Sequence, residues 1–226
     1  MWSFREVLSG VEEFHQKEHP GRREVWLHCW EGAEGQDKGA LVLGSSQPLD
    51  VARAEALDER GLMLVKRQSG GGAVLVESDS LVWIDVFIPR DDLLWEADVG
   101  KSALWVGKVW QDTLAEFGVF GEVHRGRYEP GRWGNLICFA GRATGEVFVE
   151  GKKSVGISQR RSKQGARFQT ALVRRWKITD LSSLLNLTPE DRTHIEIEVA
   201  SAAHPLFFTP PEIFATFCAV IQQYRQ

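Results

Sequence analysis

The sequence predicts an α+β fold with a mainly antiparallel or mixed sheet flanked by helices. Two observations lead to this prediction: strand-like segments outnumber helical ones, and some of them form hairpin pairs around short turns. The 226 residues contain no repeat, low-complexity tract or long polar linker. We therefore expect a single domain over residues 1–226.

Seven segments have the composition or alternation of strands, and they are residues 24–29, 40–43, 62–66, 81–88, 146–149, 153–158 and 169–176. The strongest prediction is the segment LVWIDVFI at residues 81–88, which is rich in β-branched and aromatic side chains. The first two segments are predicted to pair as antiparallel strands across a glycine- and charge-rich turn. Gly151 separates the fifth segment from the sixth, which is the pattern of a hairpin.

Helices are predicted where the spacing of apolar residues changes from the alternation of a strand to the longer repeat of a helix. Within residues 95–117, apolar side chains recur every three or four positions, and Gly118 follows. The residues in this pattern are Val99, Ala103, Val106, Trp110, Leu114 and Phe117. A short helix is predicted over residues 51–60, with Asp50 as its N-cap and Gly61 as its C-terminal stop. Short helices are expected between residues 179 and 210, and a final helix over residues 211–223.

Composition narrows the classes of function. The formal charge of -4 argues against a nucleic-acid partner, which normally requires a basic surplus. The N-terminus lacks a signal-peptide core and no apolar run approaches 18 residues, so we expect a cytoplasmic protein with no membrane partner. Cys29, Cys138 and Cys218 are odd in number and widely spaced. They predict free thiols, with no disulfide framework and no metal site.

The first candidate site is the glycine triplet Gly70, Gly71 and Gly72, together with Arg67. Glycines have no Cβ atoms, so this backbone can lie directly against a ligand, and its N–H groups can hold an anion or carboxylate. Arg67 would add a forked cationic donor. The alternative is a flexible hairpin turn, since the segment lacks a Walker ending and the spaced glycines of a dinucleotide loop.

The second candidate site is the lysine pair Lys152 and Lys153, which follows the turn at Gly151. On a strand, one of two adjacent lysines points inward and the other outward. An inward lysine is costly to bury unless it meets an anion or a carbonyl, as a substrate-binding lysine does. The alternative is a solvated hairpin tip.

Three motifs together carry a family resemblance. Residues 66–74, KRQSGGGAV, are similar to the RRxSGGGAV motif of lipoate–protein ligases, and residues 150–161, EGKKSVGISQRR, resemble the GKKIxGxAQRR segment that ligases and octanoyltransferases share. Residues 41–48, LVLGSSQP, look like the LxLGxxQ strand of the same superfamily. The motifs come in the family's order, so the resemblance implies the catalytic domain of the biotin/lipoate ligase fold. Biotin–protein ligases share that fold, but their GRGRxGR loop is absent.

The resemblance implies roles for individual residues. Lys153 matches the family's essential lysine, which would hold the acyl carbonyl and, in a ligase, the phosphate of an acyl-adenylate. Arg67 would point toward the same place, and Lys152 would face solvent. The other residues implied in acyl or adenylate binding are Ser69, Gly70, Gly71, Gly72, Ala73 and Gly156.

Two departures from the family pattern weaken the expected polar contacts. The family usually has His after GGGAVx, whereas this chain has Val76. Ligases also typically carry an Asn-Asp pair after Gly-Arg, upstream of the lysine strand. Here Ala143 and Thr144 follow Gly141-Arg142.

Cys138 leaves two mechanisms open. Cys138, Glu146 and Lys153 resemble the order found in one class of octanoyltransferases, in which the cysteine accepts the acyl group from a carrier thioester. Lys153 nearby would favour its thiolate. The alternative is a buried apolar Cys138. The glycine loop and the lysine strand are closer to ligases, which favours lipoylation through an acyl-adenylate.

The two mechanisms differ in cofactors and partners. A ligase would use ATP, magnesium and free lipoate or octanoate. A transferase would need neither ATP nor magnesium and would take octanoate from an acyl carrier protein. Both would modify a lysine of a lipoyl-domain acceptor protein. A third possibility is an acyl-binding module without catalysis, because the His and the Asn-Asp pair are absent.

Overall fold

The computed structural model describes residues 1–30 and 38–224. The strands of this part are β1 (Ser3–Ser9), β2 (Glu24–Trp30), β3 (Ala40–Leu43), β4 (Met63–Lys66), β5 (Val74–Val76), β6 (Leu81–Pro89), β7 (Glu122–Val123), β8 (Val147–Val149), β9 (Lys152–Arg161) and β10 (Gly165–Val173). The helices are α1 (Val11–Gln16), α2 (Ala54–Arg60), α3 (Leu104–Ala115), α4 (Ile178–Ser182), α5 (Pro189–Glu198) and α6 (Pro210–Ile221). Short 3-10 turns occupy Leu49–Val51 and Cys138–Ala140.

The strands form two sheets. The larger sheet has the order β1-β2-β6-β10-β9-β8-β7, and the smaller has the order β4-β3-β5. Strands β1 and β2 are parallel, as are β3 and β4, and the other neighbours are antiparallel. The predicted α+β class with a mixed sheet is therefore confirmed.

The two faces of the larger sheet are covered by different layers. Ile84 of β6 packs toward α3 and α6, which bury Trp110 and Phe217 against this face. Trp83, its neighbour on the strand, points to the opposite face and belongs to the same apolar cluster as Val42 of β3. The far side of the smaller sheet is covered by α2, α4 and α5. The resulting order of layers is helices, large sheet, small sheet and helices.

The predicted pairing of residues 24–29 with residues 40–43 is wrong, although both segments are strands. β2 pairs with β1 and β6 in the large sheet, whereas β3 pairs with β4 and β5 in the small one. All four residues of β3 are buried, because both faces of this strand are covered. Most of the intervening predicted turn, residues 31–37, lies outside the described residues.

Two predicted helix starts also need correction. Asp50 does not cap a helix, because it lies within a 3-10 turn, and α2 begins at Ala54. Gly61 does end α2, with the left-handed φ of 64° that the prediction requires. Helix α3 begins at Leu104 rather than at residue 95, and Val99 is 57% exposed. No helix among the described residues is long and apolar enough to cross a membrane.

The other strand and helix predictions hold within a few residues. The hairpin around Gly151 is formed by β8 and β9, and Gly151 has a φ of 73°. The strand predicted over residues 169–176 begins and ends earlier, as β10. The final helix, α6, begins at Pro210 and carries a capping box between Thr209 and Glu212.

Candidate active site

The glycine triplet, the segment before Phe139 and strand β9 enclose a cleft of about 680 Å³. Gly70, Gly71 and Gly72 line one wall, and Cys138 lines the wall beside them. Lys153 lies in the floor. The two candidate sites of the sequence, 80 residues apart in the chain, are therefore brought to one place by the packing of the two sheets.

Close backbone contacts fix the glycine triplet. Its last residue, Gly72, lies so near the segment before the cysteine that a Cβ atom would come within 2.6 Å of the Ile137 backbone. The next residue, Ala73, is buried, accepts a hydrogen bond from the Cys138 N–H at 3.0 Å and donates one to the Leu136 carbonyl at 2.8 Å. Gly72 is required by this close approach, and the loop is held in place rather than free to move as a turn.

Arg67 lies beneath the glycine triplet and does not line the cleft. Its side chain is buried, and its Nη2 donates to the carbonyls of Gly70 and Gly72 at 2.8 and 3.0 Å. The guanidinium therefore holds the loop from behind. Gly71, between these two carbonyls, has a φ of 107°, and a Cβ there would meet the Arg67 Nη2 at 2.7 Å.

The lysine pair divides as alternation predicts: Lys152 is exposed and Lys153 is 1% exposed. A shift in the pairing of β8 with β9 places one extra residue, Ser154, on β9. Side chains alternate on a regular strand, so Lys153 would otherwise share the face of Val155. The extra residue instead puts Lys153 on the face of Gly156, where Cys138 lies.

Lys153 has two polar partners. Its Nζ is 2.6 Å from Oε2 of Glu146 and donates to the Cys138 carbonyl at 2.9 Å. The Glu146 side chain is itself buried and also accepts a hydrogen bond from the Ala143 N–H. Burial raises the pKa of the Glu146 carboxyl, and the Lys153 charge opposes that rise. The ion pair is therefore isolated from water.

The Cys138 sulfur lies beside this ion pair. A Cβ atom on Gly156 would be 3.8 Å from the Cys138 Sγ and also 3.8 Å from Oε1 of Glu146. A side chain at Gly156 would therefore contact both groups, and the ring of Phe139 as well. Cys138 is partly buried and starts a 3-10 turn, and its sulfur is not sealed in the core.

A buried chain of hydrogen bonds supports the wall from the far side. Ser69 donates to Oε1 of Gln169 at 2.8 Å and lies 2.9 Å from the hydroxyl of Ser158, which lines the cleft. Gln169 in turn reaches Nδ1 of His15 in α1 at 3.1 Å. Ser69 thus binds the glycine loop to β9 and β10 rather than facing a ligand itself.

Over residues 9–207, the sequence matches the protein family described as the lipoyl protein ligase A/B catalytic domain. The chain belongs to this family. It is an enzyme of the ligase or transferase type that this family contains. Comparison with curated protein sequences gave no significant match.

Solved structures show the same fold at low sequence identity. A bipartite lipoate protein ligase from Thermoplasma acidophilum, reported with its E2 lipoyl domain, has a TM-score of 0.69 and 14% identity, covering 99% of this chain and 84% of that one. P. falciparum LipL1 in complex with lipoate has a TM-score of 0.64 and 13% identity, covering 99% and 62%. A lipoate-protein ligase A bound with ATP has a TM-score of 0.56 and 12% identity, covering 98% and 94%.

The two departures from the family motifs have structural explanations in this lipoyl protein ligase A/B domain. Val76 is fully buried in the apolar cluster between the sheets, so this position serves the core. Ala143 follows Gly141-Arg142, and its backbone N–H binds Glu146. The carboxylate that pairs with Lys153 therefore comes from Glu146, after the position of the missing Asn-Asp pair.

Sequence reasoning gave no site role to several groups of this lipoyl protein ligase A/B domain. Gln47, from the LVLGSSQP motif, accepts from the Gly44 N–H at 2.9 Å and donates to the Leu136 carbonyl at 3.1 Å. Gln47 thus connects the end of β3 to the cleft wall. The LVLGSSQP motif is the sequence feature that could have indicated this role. Tyr128 also lines the cleft and donates to Asn135 at 3.1 Å, but no local pattern marks it.

A second cleft of about 580 Å³ adjoins the first. The two share Tyr128, Ser158 and Gln159 in their linings. Lys101 and Arg127 add positive charge to the second cleft. A ligand with an acyl chain and an anionic part could therefore extend across both.

Proposed function

We propose that this protein transfers an eight-carbon acyl group, octanoyl or lipoyl, to a lysine of a lipoyl-domain acceptor, with the acyl group carried on Cys138. One observation carries this proposal: the Cys138 sulfur lies over the bare backbone of Gly156, beside the buried pair of Glu146 and Lys153. A nucleophile, Cys138, and a cation, Lys153, thus line one cleft of about 680 Å³.

The reaction has two acyl transfers. The Cys138 thiolate attacks the carbonyl of an acyl carrier thioester, a new C–S bond forms, and the carrier thiolate leaves. The acceptor amine then attacks the Cys138 thioester, an amide forms, and the Cys138 thiolate is regenerated. The proton lost by the amine balances the charge on the carrier thiolate.

Lys153 would stabilise the oxygen of each tetrahedral intermediate. Its ammonium group is fixed by Glu146 and by the Cys138 carbonyl, so its direction is set before the substrate arrives. The net charge of this pair is zero, which suits the oxygen of a neutral thioester better than the phosphate of an adenylate. Glu146 is a positioning residue that holds the Lys153 side chain in place.

The similarity to known enzymes supports a lipoyl domain as the acceptor protein. A neighbour by fold was reported with its E2 lipoyl domain, and another was solved in complex with lipoate. An acceptor lysine on an exposed protein loop could reach this open cleft.

The second candidate is ATP-dependent ligation through an acyl-adenylate. Lys101 and Arg127 in the adjoining cleft suit the phosphates of ATP, and one neighbour by fold was solved with ATP bound. We rank this route second, because the zero net charge of the Lys153–Glu146 pair suits a phosphate less well than a neutral thioester.

Intact mass spectrometry of a lipoyl-domain acceptor separates these functions. One reaction contains octanoyl acyl carrier protein, and the other contains lipoate with MgATP. We expect acceptor octanoylation in the first, an octanoyl adduct on Cys138, and loss of both in Cys138→Ser. Modification in the second reaction alone, undiminished in Cys138→Ser, would establish the ligase instead. Octanoate binding with neither modification would indicate a non-catalytic acyl-binding module.

A further inference from the structure

A row of polar side chains crosses the large sheet beside the cleft. Ser158 of β9 is opposite Gln169 of β10, and Gln169 is opposite Asp85 of β6. Residues directly opposite on antiparallel strands project from the same face, so these three side chains lie side by side. Ser69, from the glycine motif, bonds to both Gln169 and Ser158. All of these side chains are buried except Ser158, which is half-buried and lines the cleft.

The Gln169 amide fixes the direction of these hydrogen bonds. Its Nε2 can only donate, and it lies 3.1 Å from Nδ1 of His15. Burial is the largest cause that lowers the pKa of His15, so its ring is neutral and can accept at Nδ1. Burial raises the pKa of the Asp85 carboxyl, and the Arg167 charge and a hydrogen bond from Gln169 are among the causes that oppose the rise. The amide nitrogen therefore faces Asp85 and His15, because the reverse orientation would place the amide oxygen against a carboxylate.

The positions of the serine protons follow from this direction. The Gln169 oxygen can only accept, so the hydroxyl proton of Ser69 is donated to it at 2.8 Å. A serine hydroxyl has a single proton, so Ser158 must be the donor in its contact of 2.9 Å with Ser69. Within residues 1–30 and 38–224, the Ser158 hydroxyl has no other hydrogen-bond partner. Its oxygen therefore offers the cleft an acceptor and no proton to donate.

Ser158 lies at the junction where the first cleft meets the second. The pairing of β8 with β9 ends before this residue, so β9 has an open edge there, and Ser158 lines both clefts. Gly156 is two residues earlier on the same face of β9, about 7 Å along the strand. A Cβ on Gly156 would be 3.8 Å from the Cys138 Sγ. Tyr128 also lines both clefts and donates its hydroxyl proton to Asn135, so it too offers an acceptor.

Positive charge lines the second cleft beyond this junction. Lys101, Arg125 and Arg127 contribute cations, and Asp98 contributes a carboxylate, which lies 3.7 Å from Lys101. A lining with this surplus of positive charge repels an ammonium group and attracts a phosphate. The charge that would suit ATP in the alternative route suits a phosphodiester equally. From Cys138 outward, the two clefts thus present a nucleophile, then hydrogen-bond acceptors, then cations.

We propose that the junction and the second cleft bind the phosphopantetheine arm of the acyl carrier, with Ser158 accepting a hydrogen bond from the amide N–H nearest the thioester. In this arm an ethylene group separates the thioester sulfur from that N–H, and a phosphodiester lies at the far end. The order of thioester, N–H donor and anion matches the order of groups along the two clefts. Ser158 is then a specificity-determining residue, at a position where the segment GKKIxGxAQRR has alanine. This inference rests on the proposed function, in which the acyl donor is a carrier thioester.

The test is calorimetry with phosphopantetheine octanamide, a probe that cannot transfer its acyl group because an amide replaces the thioester. A second probe has an ester in place of the arm amide nearest the octanamide, so an oxygen replaces the N–H. Wild type should bind the first probe about fivefold or more tightly than the second, because the ester oxygen faces the lone pairs of Ser158. In folded Ser158→Ala this preference should fall below about twofold, and Ser158→Thr, which keeps a hydroxyl, should retain it. A preference that persists in Ser158→Ala, or is absent from wild type, would overturn the proposal.

Arg127→Ala tests the phosphate end of the arm. It should weaken binding of phosphopantetheine octanamide by about threefold or more and leave binding of the dephosphorylated probe unchanged. Lys163→Ala is the matched control, because Lys163 is exposed and lines neither cleft. Equal effects of Arg127→Ala on the two probes would contradict binding of the phosphate in the second cleft.

Two half-reactions distinguish the arm from the acceptor lysine as the source of the N–H. Octanoyl loading of Cys138 from the carrier protein and single-turnover transfer from the loaded enzyme to the lipoyl domain are measured separately. Ser158→Ala should slow loading and not transfer, whereas slowed transfer alone would assign Ser158 to the acceptor amine and overturn the proposal. A preference for the amide probe in a wild type that never loads Cys138 would remove the transferase function and keep the arm site.

Discussion

Replacing Lys153 with methionine tests the buried ion pair that organises the cleft. Methionine replaces the stem of lysine with an unbranched apolar chain one atom shorter, and it leaves the Glu146 carboxylate without its partner at 2.6 Å. Both side chains are buried, at 1% and 4% exposure. Breaking such a pair by removing one partner costs about 3–5 kcal/mol of unfolding free energy. We expect the lower end of this range, because Glu146 can take up a proton.

The stability loss should depend on pH. Burial raises the pKa of Glu146 above its ordinary value, so the folded state holds this proton more tightly than the unfolded state. A carboxyl group whose pKa is raised by folding stabilises the folded state fully at a pH below the ordinary glutamate pKa. This stabilisation is lost as the pH rises through the pKa that the group has in the folded state. The Lys153 charge opposes the rise in the Glu146 pKa, so this pKa should be higher still in Lys153→Met. The variant should therefore be least stable, relative to wild type, at neutral and alkaline pH.

The assay is urea unfolding at several pH values, together with acceptor octanoylation. Lys152→Met is the matched control, since Lys152 is exposed beside Lys153, and it should change both quantities little. The double variant Lys153→Met/Glu146→Gln should recover much of the stability but not the activity. Near-normal turnover in folded Lys153→Met would refute the role of Lys153 in the reaction. A stability loss that does not change with pH would refute the role of the Glu146 carboxylate in that loss.

Two further predictions concern the glycine loop. Gly72→Ala should destabilise the protein by about 1–3 kcal/mol in urea unfolding, because its Cβ would meet the Ile137 backbone at 2.6 Å. In Gly70→Ala the Cβ meets no atom within 4 Å, so the unfolding free energy should stay within about 0.5 kcal/mol of wild type. Equal losses of stability in the two variants would contradict the close contact between Gly72 and Ile137. Ser69→Ala should cost about 1–3 kcal/mol and weaken octanoate binding in calorimetry, because it leaves Gln169 with an unsatisfied buried oxygen. Unchanged binding would mean that Ser69 does not shape the cleft.

The sequence by itself determined the features that are local in the chain. The composition of residues 81–88 predicts a central strand, and Gly61 and Gly151 mark turns with left-handed backbone. Alternation after the turn predicted that one of the two lysines is buried, and the family resemblance identified it as Lys153. Three short motifs in a fixed order indicated the family, and the family match over residues 9–207 confirms it.

Only the tertiary structure decided which of these parts meet. β2 and β3 follow one another in the chain, yet they belong to different sheets, because pairing depends on partners that the local pattern does not specify. The extra residue Ser154 turns Lys153 toward Cys138, and a strand's sequence does not reveal such a shift in pairing. Arg67 is buried beneath the loop, and Lys153 pairs with Glu146. Both arrangements depend on which charged groups are desolvated together when the two sheets pack, and this is a property of the tertiary structure.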